Sequence, residues 1–233
     1  IFIQTSIGIA LTENFTYKSE KLLRNADVAM YMSKSKGKGC LTVFENQMHK
    51  DLIYRLEFEA DLRLAVENKE FLLFFQPIVE FKSEKIRGIE ALVRWQHPKR
   101  GLVMPLDFIP IAEETGLIIP LGRWILEHAC RQARAWQTEF PDKEPLSITV
   151  NLSGRQFQNP EIVETVAAAL KASGLPPELL VLEITESMML QNTESMIERL
   201  QQLKRLGVRL AIDDFGTGYS SLSYLHRFPI DII

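Results

Sequence analysis

Leu179-Leu180-Val181-Leu182-Glu183-Ile184, a helical stretch at 193–206, then Val208-Arg209-Leu210-Ala211-Ile212-Asp213: this segment carries the reading of the fold. Each apolar run has the length of a buried strand, and the stretch between supplies the crossover that parallel neighbours require. Outward from it the alternation repeats. Strands are expected at 71–76, 86–95, 146–151, 179–184, 208–213 and 230–233, with helices at about 107–114, 120–138, 160–172, 193–206 and 219–227. Repeated βα units of this length predict an α/β fold with a parallel sheet, doubly wound or closed as a barrel. The first two strands are the exception. Only Glu80–Lys85 separates them, too little for a crossover helix, so they form an antiparallel hairpin.

Local signals bound several elements. Asn159-Pro160 reads as N-cap and first helical position, and Ser173-Gly174-Leu175-Pro176-Pro177 as a helix stop. Further upstream, residues 1–11 read as a strand. Residues 19–35 place Leu22, Leu23, Ala26, Ala29 and Met30 at helical spacing behind Ser19 as N-cap. Gly37 and Gly39 close that helix, and Leu41-Thr42-Val43-Phe44 is a short strand. Residues 47–67 form a helix with Leu52, Leu56 and Leu62 as its stripe. Asp51/Arg55, Arg55/Glu59, Glu59/Arg63 and Arg63/Glu67 lace it with i,i+4 charge pairs. It reads equally as a stiff connector between two domains and as a surface helix of the second.

Composition narrows the function. The chain is 46% hydrophobic and 24% charged, which excludes wholesale disorder and collagen-like repetition. With 27 Lys and Arg against 30 Asp and Glu, the net charge of −3 argues against a dedicated binder of duplex DNA or of an anionic membrane. Cys40 and Cys130 form no CxxC pair, so a reducing, cytoplasmic compartment is expected rather than a disulfide framework. No apolar run reaches the ~18 residues of a membrane span. Both ends of the chain fall inside strand-like runs, which suggests a piece cut from a longer protein, one that other segments could anchor to a membrane.

Polar groups punctuate the apolar strands: Glu90, Asn151, Glu183 and the pair Asp213-Asp214. Carboxylates left dry without partners are costly, and parallel strands bring their C-terminal ends to one face. These groups are therefore expected to converge. Acids and an amide, without a His or Cys cluster, make a hard oxygen set suited to Mg²⁺ or Mn²⁺ rather than Zn²⁺. Each acid taken singly reads as readily as an ion-pair partner or a cap; the set points to a metal. Asp213 and Asp214 are adjacent, so only a bend at the strand end lets both reach the centre. Arg94 shares a strand face with Glu90 and could fork onto a phosphate or a carboxylate. Gln76-Pro77 could bond a base or cap its strand, and Asp214-Phe215-Gly216-Thr217-Gly218-Tyr219 is a weak phosphate-loop signal. His49, His97, His128 and His226 lack ligand spacing and receive no chemistry.

At these residues a resemblance becomes specific. Glu90-Ala91-Leu92-Val93-Arg94-Trp95 resembles the signature of the EAL domain family, bacterial cyclic-di-GMP phosphodiesterases. Phe75-Gln76-Pro77-Ile78, Asp107-Phe108-Ile109-Pro110-Ile111-Ala112-Glu113, Val150-Asn151-Leu152-Ser153, Leu182-Glu183-Ile184-Thr185-Glu186-Ser187 and Ile212-Asp213-Asp214-Phe215-Gly216-Thr217-Gly218 follow in the family's order. Ser6-Ile7-Gly8-Ile9-Ala10, Ala26-Asp27-Val28-Ala29-Met30-Tyr31 and Lys36-Gly37-Lys38 resemble the end of a GGDEF (diguanylate cyclase) domain.

The resemblance implies a TIM-like β/α barrel with an antiparallel first hairpin, truncated in its sixth strand. It also implies a division into a GGDEF remnant (1–46), a connector helix (47–69) and an EAL domain (70–233). It assigns Glu90, Asn151, Glu183, Asp213 and Asp214 to a two-metal Mg²⁺ or Mn²⁺ site. Gln76, Leu92, Arg94 and Asp214 would contact cyclic-di-GMP, and Glu186 would steady the loop after Asp214. The implied reaction is hydrolysis to linear pGpG, with an EAL homodimer allowed. The family's catalytic Lys and a later Glu and Gln would lie beyond Ile233, so the 233-residue chain alone is expected to be inactive. A non-catalytic cyclic-di-GMP receptor and a regulatory platform for the GGDEF half are the rival readings.

Overall fold

The computed structural model describes residues 4–12, 18–35, 39–189, 194–213, 216 and 228–233. The chain divides into two compact units, residues 1–62 and 63–233.

In the first unit a short strand β1 (Ile7–Ile9) leads into helix α1 (Ser19–Ser35) and strand β2 (Leu41–Val43). The two strands pair in parallel, Gly8 opposite Thr42, as a right-sized crossover helix between them allows. The strand expected over residues 1–11 is confined to Ile7–Ile9. Ser19 is the first helical residue rather than the cap, and the Lys18 carbonyl accepts the first bonds. The core is Val28, Ala29 and Met48, with Met32, Phe44 and Leu52 packed against it. Helix α2 (Gln47–Asn68) runs from this unit into the next. Its buried positions are Met48, Phe58, Leu62 and Ala65; Leu56, expected in the stripe, is exposed.

The second unit opens with the hairpin β3 (Phe71–Glu80) and β4 (Lys85–His97), antiparallel throughout, with Gln76 opposite Glu90. Strand β3 runs past Gln76-Pro77 to Glu80, so Gln76 lies mid-strand and caps nothing. Pro77 is tolerated because β3 is an edge of the sheet. A short strand β5 (Gly101–Val103) folds back on β4. Helices α3 (Pro105–Thr115) and α4 (Ile118–Glu139) follow, then strand β6 (Ser147–Asn151).

Next come helix α5 (Gly154–Gln158) and helix α6 (Ile162–Ser173) where one helix was expected. Asn159-Pro160 does not start a helix: Asn159 ends α5, and its Oδ1 accepts the Glu161 amide on the way to Ile162. Gly174, at φ 68°, ends α6 at the expected stop. Strand β7 (Leu180–Thr185), helix α7 (Glu186–Met189), helix α8 (Glu194–Arg205) and strand β8 (Arg209–Asp213) complete the array. The sheet order is β3-β4-β6-β7-β8, with every pair after the hairpin parallel. The strand expected at 230–233 is reduced to one parallel bridge, Ile232 to Ala211. The helix expected at 219–227 lies outside the described residues.

The register sorts side chains onto two faces. Ala91, Val93 and Trp95 of β4, Ile148 and Val150 of β6, Leu180, Leu182 and Ile184 of β7, and Leu210 and Ile212 of β8 share the helix-covered face and are buried. Trp95 and Phe71 pack there against Phe108, with ring centroids 6.1 Å and 5.7 Å away. The opposite face carries Thr149, Val181 and Ala211, also buried. Strands dry on both faces explain the near-continuous apolar runs of the sequence.

Candidate active site

On that opposite face the sheet's C-terminal edge collects the polar residues. Glu90 pairs across the ladder with Thr149, so Asn151, two residues further on β6, shares its face. Asn151 lies level with Glu183, and Glu183 level with Ala211, two residues before Asp213. Period-two alternation therefore aims Glu90, Asn151, Glu183 and Asp213 the same way from four neighbouring strands. The antiparallel partner adds Gln76, opposite Glu90; Leu92 and Arg94 continue the same face of β4. Asp214 lies outside the described residues, as does its loop except for Gly216.

Local contacts fix parts of this array. The Asn151 Nδ2 donates to Glu90 Oε1 at 2.8 Å, tying β6 to β4 across the face. Arg94 Nη1 donates to the Val93 carbonyl at 2.8 Å, and its guanidinium lies over the Phe74 ring, 5.5 Å from the centroid. Glu186 is buried at the start of α7, and its Oε2 accepts the Gly216 amide at 2.7 Å. Gly216 has φ 90°, a conformation open to glycine, and that turn aims its N–H at the acid.

The segment after Asn151 is also clamped. Ser153 and Gln156 form a reciprocal capping box on α5. The Gln156 amide presses into a notch in α4: a Cβ on Gly122 would stand 1.8 Å from Nε2, so any larger residue there would have to displace the Gln156 side chain. Arg155 Nη1 donates to the Glu113 and Glu114 carbonyls. Burial pushes the Glu113 carboxyl above its usual range, with a hydrogen bond from Ser153 and the Arg155 charge pulling the other way. The Ser153-x-x-Gln156 spacing is the sequence signal that marks α5. Phe74 and Gly122 carried no signal a sequence reading would catch.

Donor chemistry suits a hard cation: carboxylate and amide oxygens, half-buried or exposed, on one edge. Among the described residues no three His, Cys, Asp or Glu side chains are grouped closely enough to hold a metal ion. An amide on β6 stands between Glu90 on β4 and Glu183 on β7, and Asp214 lies outside the described residues. Three histidines have structural partners: His97 Nδ1 accepts the Lys99 amide, His128 Nδ1 donates to the Trp124 carbonyl, and His49 bonds Asn25. Burial pushes the Cys130 thiol up to about 12, consistent with an inert core residue. A cavity of about 640 Å³ between Trp136, Phe140, Pro145 and Leu179 opens at the opposite end of the strands.

Residues 59–233 match the family described as EAL domain. The chain belongs to the EAL domain family. It is 42% identical over 227 residues to the bifunctional diguanylate cyclase/cyclic di-GMP phosphodiesterase MucR of Pseudomonas aeruginosa, covering 97% of this chain and 33% of that one. It is 40% identical over 233 residues to the cyclic di-GMP phosphodiesterase PdeR of Escherichia coli, covering 100% of this chain and 35% of that one. A solved cyclic-di-GMP complex of the PaMucR phosphodiesterase superposes with a TM-score of 0.71 at 43% identity, covering 76% of this chain and 71% of that one. The chain thus spans about a third of the length of these two curated relatives. Among the described residues no helix is long and apolar enough to cross a membrane.

Proposed function

We propose that the second unit is the EAL domain of a phosphodiesterase that hydrolyses cyclic-di-GMP to linear pGpG. The observation that carries this reading is the single-face array of Glu90, Asn151, Glu183 and Asp213 at the C-terminal edge of the sheet, flanked by Gln76, Leu92 and Arg94.

In this reading the sheet is part of a TIM-like barrel, and Glu90, Asn151, Glu183, Asp213 and Asp214 would hold two Mg²⁺ or Mn²⁺ ions. Such ions, when bound, lower the pKa of water and neutralise charge developing on a phosphoryl group. The chain's own residues do the positioning. Asn151 restrains the Glu90 carboxylate through its amide hydrogen bond. Arg94 offers its remaining N–H groups to a phosphate, where a planar guanidinium can bind two oxygens at once. Gln76 faces the same space with an amide suited to a base edge or a sugar. Glu186 restrains the backbone at Gly216, two residues beyond Asp214.

The boundaries that fit this reading are a GGDEF remnant over 1–46, a connector over 47–69 and the EAL domain over 70–233. Similarity to MucR and PdeR extends over nearly the whole chain, ahead of residue 59 as well, which supports the tandem arrangement. Among the described residues the sheet continues beyond β8 by one bridge, Ala211 to Ile232, and this reading expects no turnover from the 233-residue chain by itself. The test is a turnover assay on the full-length parent with cyclic-di-GMP, with Mn²⁺ and then with excess EDTA. Metal-dependent release of pGpG supports the enzyme; tight binding without product identifies a receptor and overturns it.

A further inference from the structure

We propose that Phe74 is a positioning residue for Arg94, a ring that holds the guanidinium toward the substrate phosphate; this rests on the reading of Arg94 as a phosphate contact. In the hairpin, Phe74 stands opposite Leu92 and Leu72 opposite Arg94, so Phe74 and Arg94 are diagonal neighbours on the site face. The guanidinium sits 5.5 Å from the Phe74 centroid, within range of the attraction between a cation and an aromatic face. One N–H is bonded to the Val93 carbonyl. Among the described residues no carboxylate pairs with Arg94.

That combination is informative. A carboxylate would fix the guanidinium by occupying the donors a phosphate needs, whereas a ring face restrains it and leaves the remaining N–H groups available. Phe74 is 47% exposed beside Leu72 and Ile78, also exposed on the same side of β3, and it is the aromatic side chain of that row, the one that lies under the guanidinium. Supporting Arg94 gives it a role there. A flexible arginine held near its bound orientation has less freedom to lose when the ligand arrives.

The experiment is steady-state kinetics of the full-length parent with cyclic-di-GMP for Phe74→Leu, Phe74→Trp, Arg94→Ala and the double variant Phe74→Leu/Arg94→Ala. Phe74→Leu keeps the side chain apolar but removes the ring; it should raise KM by about two- to fivefold, the size of an exposed cation–π contact, with kcat unchanged. Phe74→Trp should restore KM, and Phe74→Leu should have no further effect once Arg94 is alanine. An equal effect of Phe74→Leu with and without Arg94, or a fall in kcat that Phe74→Trp fails to rescue, would overturn the positioning role. If Arg94→Ala raises KM while Phe74→Leu does not, the inference alone fails. If Arg94→Ala leaves KM unchanged, the phosphate reading of Arg94 has failed first.

Discussion

The two faces of the same sheet behave as different materials. On the helix-covered face Trp95, Leu182, Ile184 and Leu210 are at most 1% exposed, and the one polar atom among their side chains, Trp95 Nε1, donates to Glu70 Oε2 at 3.2 Å. On the other, the strands carry Glu90, Asn151, Glu183 and Asp213, half-buried or exposed, and a hydrogen bond links Asn151 to Glu90. Burial on the first face pays the entropy of folding. Like charges gathered at one edge of the second stabilise nothing by themselves. A strand can satisfy both demands because alternate residues never share a face. The lesson is a separation of labour: one set of side chains should govern stability and the other turnover, with little crossover.

The strongest way to break that separation is Asp213→Asn in the full-length parent. Volume is kept while a charged oxygen donor is lost, so cyclic-di-GMP turnover should fall by at least about a hundredfold, the scale of losing one charge-stabilising group. The thermal midpoint should stay put. Near-normal turnover would remove Asp213 from the site; a large drop in the midpoint would show that the edge carries stability after all.

Leu182→Ala tests the other face. Leu182 is fully buried on β7, one residue from Glu183 in sequence but on the opposite side. Truncation should cost about 2–5 kcal/mol in denaturant unfolding. Turnover per folded molecule should be retained at a temperature where the variant is folded. Lost turnover in fully folded protein would mean that the faces are coupled.

A smaller effect sharpens the comparison at the sheet's outer edge. Lys204 Nζ lies 2.7 Å from Asp231, and the Leu210 amide donates to the same carboxylate. Burial opposes ionisation of Asp231, but the Lys204 hydrogen bond, the Leu210 amide and the charges of Lys204 and Arg209 outweigh it and hold the carboxyl below its usual value. A depressed carboxyl stabilises the fold above the unfolded value of 3.8 and loses that contribution as pH falls through the folded value. Asp231→Asn should therefore cost under about 1 kcal/mol at pH 7, after allowance for solvent screening of a part-exposed pair. The gap between the two proteins should close as acid protonates Asp231. A gap that persists unchanged at pH 2 would assign it to the amide contact rather than to charge.

Much of the architecture was legible because it is periodic. Apolar runs alternating with helical stretches announced the βα units, the short Glu80–Lys85 link announced the hairpin, and the strands found at Ser147–Asn151, Leu180–Thr185 and Arg209–Asp213 lie within a residue or so of the expected bounds. Irregular pieces were not legible. Helix α5 hid behind Asn159-Pro160, a start signal whose Asn instead ends one helix and leads to the next through an Asx-type bond. The run at 230–233 has strand composition but makes one bridge, since a strand is defined by its partner and not by its residues alone.

The sequence by itself determined the order of the elements, the parity that puts Glu90 and Arg94 on one side of their strand, and the acids that end the parallel strands. These follow from covalent geometry and local hydrophobic period, which need no knowledge of distant residues. Tertiary structure alone decided that Asn151 stands level with Glu183 and bonds Glu90, that Glu186 holds Gly216, that Gln156 fills the notch at Gly122, and that a phenylalanine lies beneath Arg94. Register and diagonal contacts depend on packing summed over segments far apart in the chain. A slip of one residue would leave every local signal intact while turning the acids of that strand toward the opposite face.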